Sequence, residues 1–202
     1  MPNDTLTRRG FVSAAMAGLA AAALPLPALA LTEAAAKALV DKVVAEINRV
    51  IESGKSESAM LRDFEKIFAT YADVPIMARY ALGADARAAS PAQMRGFTQA
   101  FQGYIASKYG RRFREFIGGT VVVKSTRQIK AGYEVRAVAD LQGQAPFEVT
   151  FLVSDKSGKD LFFNMFVEGV NLLLTERTEI GAMLDRRKGN LDELISDLSK
   201  LG

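Results

Sequence analysis

From Gly118 to Val167 the chain reads GGTVVVKSTRQIKAGYEVRAVADLQGQAPFEVTFLVSDKSGKDLFFNMFV. Its apolar residues recur at every second position, the period of a strand with one buried face. Val121 and Val123 alternate with Val122 and Lys124 in a first strand that runs to about Ile129. Ala131-Gly132 turns the chain, and Tyr133, Val135, Ala137, Ala139 and Leu141 then alternate with Glu134, Arg136 and Asp140. Gln142-Gly143-Gln144 turns it again before Phe147, Val149, Phe151 and Val153, and Asp155-Lys156-Ser157-Gly158 leads into Leu161, Phe163, Met165 and Val167. Connections this short join antiparallel neighbours, so the spacing predicts a four-stranded meander with one apolar face. Phe162 and Phe166 fall on the face opposite Phe163 and Met165, which makes the last strand apolar on both sides. That implies either a covered second face or a binding surface.

On both sides of this stretch the period becomes helical. Thr32 suits the cap of a helix running to Ser53, with Leu39, Val43, Ile47 and Val50 on one stripe and Gly54 as its stop. A second helix, from about Ser56 to Thr70, carries Met60, Leu61, Phe64, Ile67 and Phe68 at helical spacing. Asp73-Val74-Pro75 opens a third, which ends at Gly83. Ser90-Pro91-Ala92-Gln93 is the sharpest local signal: an N-cap, a proline at the first helical position and a reciprocal capping residue. The helix it opens bears Met94, Phe97, Phe101, Tyr104 and Ile105 on one face, and Gly110 breaks or kinks it. Two helices follow Gly169, roughly Val170 to Arg187 and Asn190 to Leu201. The expected architecture is α+β, a curved four-stranded antiparallel sheet with helices over its apolar face. No linker divides residues 31–202, so one domain is expected there.

The first thirty residues read as an address. Arg8 and Arg9 precede an apolar run from Phe11 to Leu24, Pro25 and Pro27 follow, and Ala28-Leu29-Ala30 is a small-x-small cleavage pattern. The run is shorter than the roughly 20 residues that span a bilayer. Thr7-Arg8-Arg9-Gly10-Phe11-Val12 resembles a twin-arginine export signal, a general secretory signal being the alternative. Cleavage after Ala30 is expected to release a soluble protein into a bacterial periplasm.

Composition removes much chemistry. The chain of 202 residues has no His and no Cys, which excludes His-dependent triads, thiolate or imidazole metal sites and disulfides. Lys and Arg number 26 against 23 Asp and Glu, a net charge too small to indicate nucleic acid. An enzyme would have to work with Asp, Glu, Lys, Arg, Tyr, Ser or Thr alone, and the acidic candidates Asp140, Glu148, Glu176, Glu179, Asp192 and Glu193 all fall on faces that the pattern assigns to solvent. A general base needs a desolvated or partnered position. Gly118-Gly119 lies between helix and strand, the wrong order for a phosphate loop. The run Lys108, Arg111, Arg112, Arg114 reads as a solvated helix end offsetting the helix dipole, or as a contact for a phosphate or an acidic partner.

Tyr71-Ala72-Asp73-Val74-Pro75, then Met77 to Gly83, Ala88 to Gln93, Phe97, Phe101 and Tyr109-Gly110 together resemble the MlaC family. The segment from Val167 to Leu172 with Thr175 and Arg177, and the run Gly189 to Ile195, continue the likeness in order and spacing to about Leu201. The chain departs from the family pattern at Ala86 (Trp), Asn164 (Asp), Asn171 (Ser) and Glu176 (Tyr). The resemblance implies a periplasmic carrier of glycerophospholipid in the lipid-asymmetry, or toluene-tolerance, system. It implies partners in an outer-membrane lipoprotein complex and an inner-membrane ABC transporter complex, no catalytic residue, no cofactor, no metal and a monomer. The residues expected to hold the tails in an apolar cavity are Val121, Val123, Val135, Ala137, Val149, Phe151, Phe163 and Met165 from the sheet. Met77, Leu82, Phe97, Phe101, Ile105, Val170 and Leu174 are expected to join them from the helices. Arg111 and Arg112 are candidates for head-group or partner contact. Two other readings compete: a small enzyme using carboxylates in a pocket, which requires a deeply buried, unpaired Asp or Glu, and a periplasmic chaperone or scaffold.

Overall fold

Among the described residues each α-helix but one begins where a short polar side chain accepts a backbone N–H that the first turn leaves unpaired. The computed structural model describes residues 30–111, 119–141 and 143–202. The export-signal reading, apart from Ala30, therefore lies outside the described residues. Thr32 caps α1 (Glu33–Ile51), accepting from the Ala35 amide at 3.1 Å, and Asp73 caps α3 (Val74–Leu82), accepting from Ile76 at 3.3 Å. The helix between them, α2 (Glu57–Tyr71), starts at Ser56 without a side-chain cap. A 3-10 turn over Gly83–Arg87 leads to α4 (Pro91–Gly110), whose capping box is complete. Ser90 accepts from the Gln93 amide at 3.2 Å and Gln93 accepts from the Ser90 amide at 3.1 Å.

Then come β1 (Thr120–Ile129), β2 (Gly132–Asp140), β3 (Phe147–Ser154), β4 (Leu161–Val167) and β5 (Val170–Asn171), all antiparallel and in spatial order along an open sheet. The sheet thus has five strands where the spacing predicts four. The fifth is two residues long: Glu168 and Gly169, at φ 50° and 77°, form a turn that folds Val170 back beside Val167. So Val170, expected to start a helix, is in a strand. Asn171 then caps α5 (Leu172–Arg186), accepting from Leu174 at 3.0 Å, and Asn190 caps α6 (Leu191–Leu201).

A second correction comes from a bulge in β4. Phe151 pairs with Met165 and Leu152 with Asn164, but Val153 pairs with Phe162, so Phe163 has no partner across the strand. One extra residue reverses the alternation beyond it. Phe162 therefore turns inward and is buried, while Phe163, expected inside, is only half-buried. β1 carries a similar irregularity between Val123 and Ser125.

Helices cover the inner face. α1 packs along β1, β2 and β3, and α3 and α5 pack on β4. The Asp73 amide donates to the Phe162 carbonyl at 2.8 Å, tying the start of α3 to β4. Among the described helices the most extensive contact is between α4 and α6: Phe97 and Phe101 stack at 5.9 Å, and Leu194 and Leu198 are fully closed off. The opposite face of the sheet mixes apolar residues such as Val122 and Leu152 with charged ones. Arg127 and Arg136 both donate to Glu134 there, at 2.7 and 2.8 Å. No helix among the described residues is long and apolar enough to cross a membrane.

Candidate functional site

Between the inner sheet face and the helices the packing leaves a pocket of about 470 Å³. That size is within the usual range for small-molecule sites, roughly 300–1,000 Å³. α1 contributes Val43, Val44 and Ile47, α2 contributes Phe64, Ile67 and Phe68, and α3 contributes Met77. The α4 face supplies Phe101, Ile105, Ala106, Tyr109 and Gly110, and the sheet supplies Val121, Phe147, Val149, Phe151, Phe162, Met165 and Val167. Leu172 and Leu173 of α5 complete the apolar wall, with Leu141 and Ala145 from the β2–β3 connection. Phe162 is the keystone of the sheet side: its ring meets Phe151 edge-on at 5.7 Å and Phe68 at 6.2 Å. Polar lining comes from Asn48, Gln144, Asn164, Glu168 and Glu176. Gln144, Ala145 and Glu168 are exposed, so this edge of the lining meets solvent.

Of the residues expected to hold tails, Met77, Phe101, Ile105, Val121, Val149, Phe151 and Met165 come together on this wall. Leu82, Phe97, Val135 and Ala137 are buried but are not among the pocket's lining residues. Val123 is half-buried against the core, and Phe163 is the bulged residue. Val170, in the short fifth strand, is 55% exposed, and Leu174 is 50% exposed because α5 turns Leu173, Glu176 and Ile180 inward instead. Arg111 is exposed just beyond α4, and Arg112 lies outside the described residues. The sequence reading left out the α1 and α2 contributors, although Val43, Ile47, Phe64, Ile67 and Phe68 had the right helical spacing. It placed Phe162 on the wrong face.

The larger surprise is electrostatic. Glu176, expected on a solvated face, is 1% exposed. Its Oε1 accepts from Lys108 Nζ at 2.7 Å and from the Tyr109 hydroxyl at 2.5 Å. Lys108 also donates to Glu179 at 2.6 Å, and Glu179 accepts from the Tyr104 hydroxyl at 3.1 Å. Lys108 is therefore a clamp between α4 and α5 rather than a solvated helix end. Burial pulls its pKa down, but the hydrogen bonds to Glu176 and Glu179 outweigh burial and hold it above the ordinary lysine value. Burial and the nearby Glu176 charge push Tyr104 up to about 12. Burial raises Tyr109 as well, reinforced by its hydrogen bond to Glu176. Glu179 is lowered chiefly by its hydrogen bond from Lys108. Asp140, Glu148, Asp192 and Glu193 are exposed, as the pattern predicts. Among the described residues no cluster of three or more acidic side chains is placed to hold a metal ion.

Two comparisons bear on this arrangement. A family model described as "MlaC protein" matches residues 37–200. A phospholipid-binding protein from Ralstonia solanacearum, solved in complex with a phospholipid, is similar in structure with a TM-score of 0.67. It is 19% identical, and the match covers 81% of this chain and 98% of that one. At that identity the likeness establishes the fold.

Proposed function

Because this chain belongs to the MlaC family, we propose that it is a phospholipid carrier rather than an enzyme. It takes up glycerophospholipid with the acyl tails in the pocket and the head at the edge formed by Gln144, Ala145 and Glu168. The observation that carries the reading is the pocket itself, about 470 Å³ walled by Phe, Met, Val, Leu and Ile side chains. The phospholipid held by the Ralstonia protein supports it.

Physical cost explains why a carrier is needed. A diacyl lipid has about 30 methylenes, and at about 0.8 kcal/mol each their exposure to water costs on the order of 20 kcal/mol. Movement through an aqueous compartment is therefore slow unless the tails are covered. Flexible Met and broad Phe surfaces suit chains of variable length. On this reading the protein is exported by its N-terminal segment to the periplasm. There it moves lipid between an outer-membrane lipoprotein complex and an inner-membrane ABC transporter, and so maintains outer-membrane lipid asymmetry. Residues from the expected set that stand on the wall, Met77, Phe101, Ile105, Val121, Val149, Phe151 and Met165, are the proposed tail contacts.

The test is to weigh the native protein by mass spectrometry and identify what organic solvent extracts from it. About one phospholipid per chain is expected. Protein that emerges free of lipid and also fails to take up added phospholipid overturns the proposal.

A further inference from the structure

Of the six large apolar side chains that stand exposed among the described residues, four gather on one face. Ile76 and Tyr80 are four apart on α3, Leu174 is on the first turn of α5, and Val170 is in the two-residue strand that leads into it. Each is between 40% and 55% exposed. α3 and α5 pack side by side, and Arg177 joins them. Its guanidinium lies 5.1 Å from the centre of the Tyr80 ring and donates to the Tyr80 carbonyl at 3.4 Å. The patch is therefore continuous across both helices.

Its charge has one sign. The exposed residues of α3 and of the first two turns of α5 include Arg79 and Arg177 but no acid. Neither arginine has a carboxylate partner among the described residues. The nearest exposed acid in the chain, Glu168, is two residues before Val170 and belongs to the pocket edge. The patch also adjoins the pocket. Met77, Leu173 and Val167 line it, while Ile76 and Leu174 beside the first two, and Val170 across the turn from the third, face out.

We propose that this face docks the protein on a lipid bilayer carrying anionic head groups. Ile76, Val170 and Leu174 enter the outer edge of the hydrocarbon, Tyr80 sits at head-group level, and Arg79 and Arg177 meet phosphates. Aliphatic side chains bordered by tyrosine and arginine match the chemistry of a membrane interface. Size favours the same occupant. Four half-exposed side chains make a patch of roughly a few hundred Å², in the range of functional patches on monomers and short of the roughly 800 Å² per partner of a stable protein interface. The carrier reading gives the contact its purpose, because cargo then crosses from the bilayer at a surface beside the pocket. The contact itself is tested without cargo.

The full-length protein and its variants are floated with vesicles of choline lipid, with or without an added anionic glycerol-head lipid. The apolar N-terminal run is common to every variant, so the differences between them are what is read. The wild type is expected to bind anionic vesicles more tightly, and the preference to shrink as salt screens it. Arg79→Gln with Arg177→Gln is expected to remove that preference, a loss of about 25-fold at about fivefold per basic residue. Ile76→Ser with Leu174→Ser is expected to weaken binding to both kinds of vesicle. Leu201→Ser with Arg186→Gln, exposed elsewhere, is expected to change neither. All these positions are exposed, and circular dichroism checks that each variant is folded. Vesicle binding that the patch variants leave unchanged overturns the inference. If those variants instead dissolve a dimer seen in sedimentation, the patch belongs to a second copy. If they only stop lipid exchange with isolated bacterial envelopes, it belongs to a protein partner; either result also overturns the inference. The carrier reading stands in all these cases, because it is read from lipid that the wild-type protein retains. Protein that docks on vesicles but neither retains nor takes up lipid overturns the carrier reading and leaves the docking face.

Discussion

Replacing Lys108 with Met removes the ammonium between α4 and α5 and keeps most of its volume. Glu176 is 1% exposed and would lose its counter-charge where water does not reach, leaving it only the Tyr109 hydroxyl. Breaking a buried pair from one side costs about 3–5 kcal/mol. The lower end applies here, because the Lys108 side chain is 29% exposed and its second partner Glu179 is 43% exposed and therefore screened. About 3 kcal/mol corresponds to a fall in Tm of roughly 6–12 °C for a domain of this size. Urea denaturation at pH 7, followed by circular dichroism, reads the loss directly. The double variant Lys108→Met with Glu176→Leu should recover most of it, since the stranded charge goes with its partner. The sign of the pH dependence follows from the shifts. Lys108 is raised when folded, so its contribution is complete at neutral pH and lost only as pH climbs past the ordinary lysine range. Glu179 is lowered, so its share is present above the ordinary carboxylate value and lost as pH falls through its folded one. The gap between wild type and Lys108→Met should therefore narrow in acid. A single-variant loss under about 1 kcal/mol, or a double variant no more stable than the two singles added, refutes the clamp.

Ala106 is buried on the α4 wall, and Ala106→Phe directs a ring toward space proposed to hold tails. Displacing about four methylenes of lipid should weaken retention by about 3 kcal/mol, on the order of a hundredfold. Thermal stability should hold, and undiminished lipid binding by a folded variant counts against the pocket as the tail site. On the outer sheet face, hydrogen bonds from Arg127 and then Arg136 overcome partial burial and depress Glu134 from 4.5 to about 2. A depressed carboxylate stabilises above its unfolded value, so this contribution should vanish as pH falls from about 4.5 toward 2. Glu134→Gln should show a flatter stability curve across that window in acid titrations followed by fluorescence or circular dichroism; an unchanged slope would show that the arginines do not hold it.

Most of the fold was legible because it rests on local signals that packing reinforces. The period change after Gly119, the turns at Ala131-Gly132 and Asp155 to Gly158, and the Ser90–Gln93 capping box each fix an element within a few residues. What escaped was information that has no period. β5 is two residues long, shorter than any alternation can reveal, and its turn depends on Glu168 adopting a left-handed backbone that non-glycine residues seldom take. The β4 bulge is equally silent, since Leu161-Phe162-Phe163 offers an apolar residue for the inner face in either register. Glu176 was misread because charge normally marks a wet face. Its burial depends on Lys108 and Tyr109, which lie more than sixty positions earlier in the chain.

The candidate site was harder to read than the fold, since alternation identifies the face a side chain points to and not whether anything fills the space before it. Val135 and Phe151 are direct neighbours across the β2–β3 ladder and point the same way, yet only Phe151 lines the pocket. Val135 packs into core. The difference lies in what faces them, and α4 carries a partial clue. The row Phe97, Phe101, Ile105 and Tyr109 stays large, while the row beside it is small at Ala106 and Gly110, four apart. Gly110 is small because α2 comes close: a Cβ there would stand 2.8 Å from a methyl of Leu61. Ala106 is on the pocket wall, where a larger side chain would take up room. Small residues beside a row of large ones on a helix thus have two physical meanings, close approach or open space. Both occur here within a single helical turn.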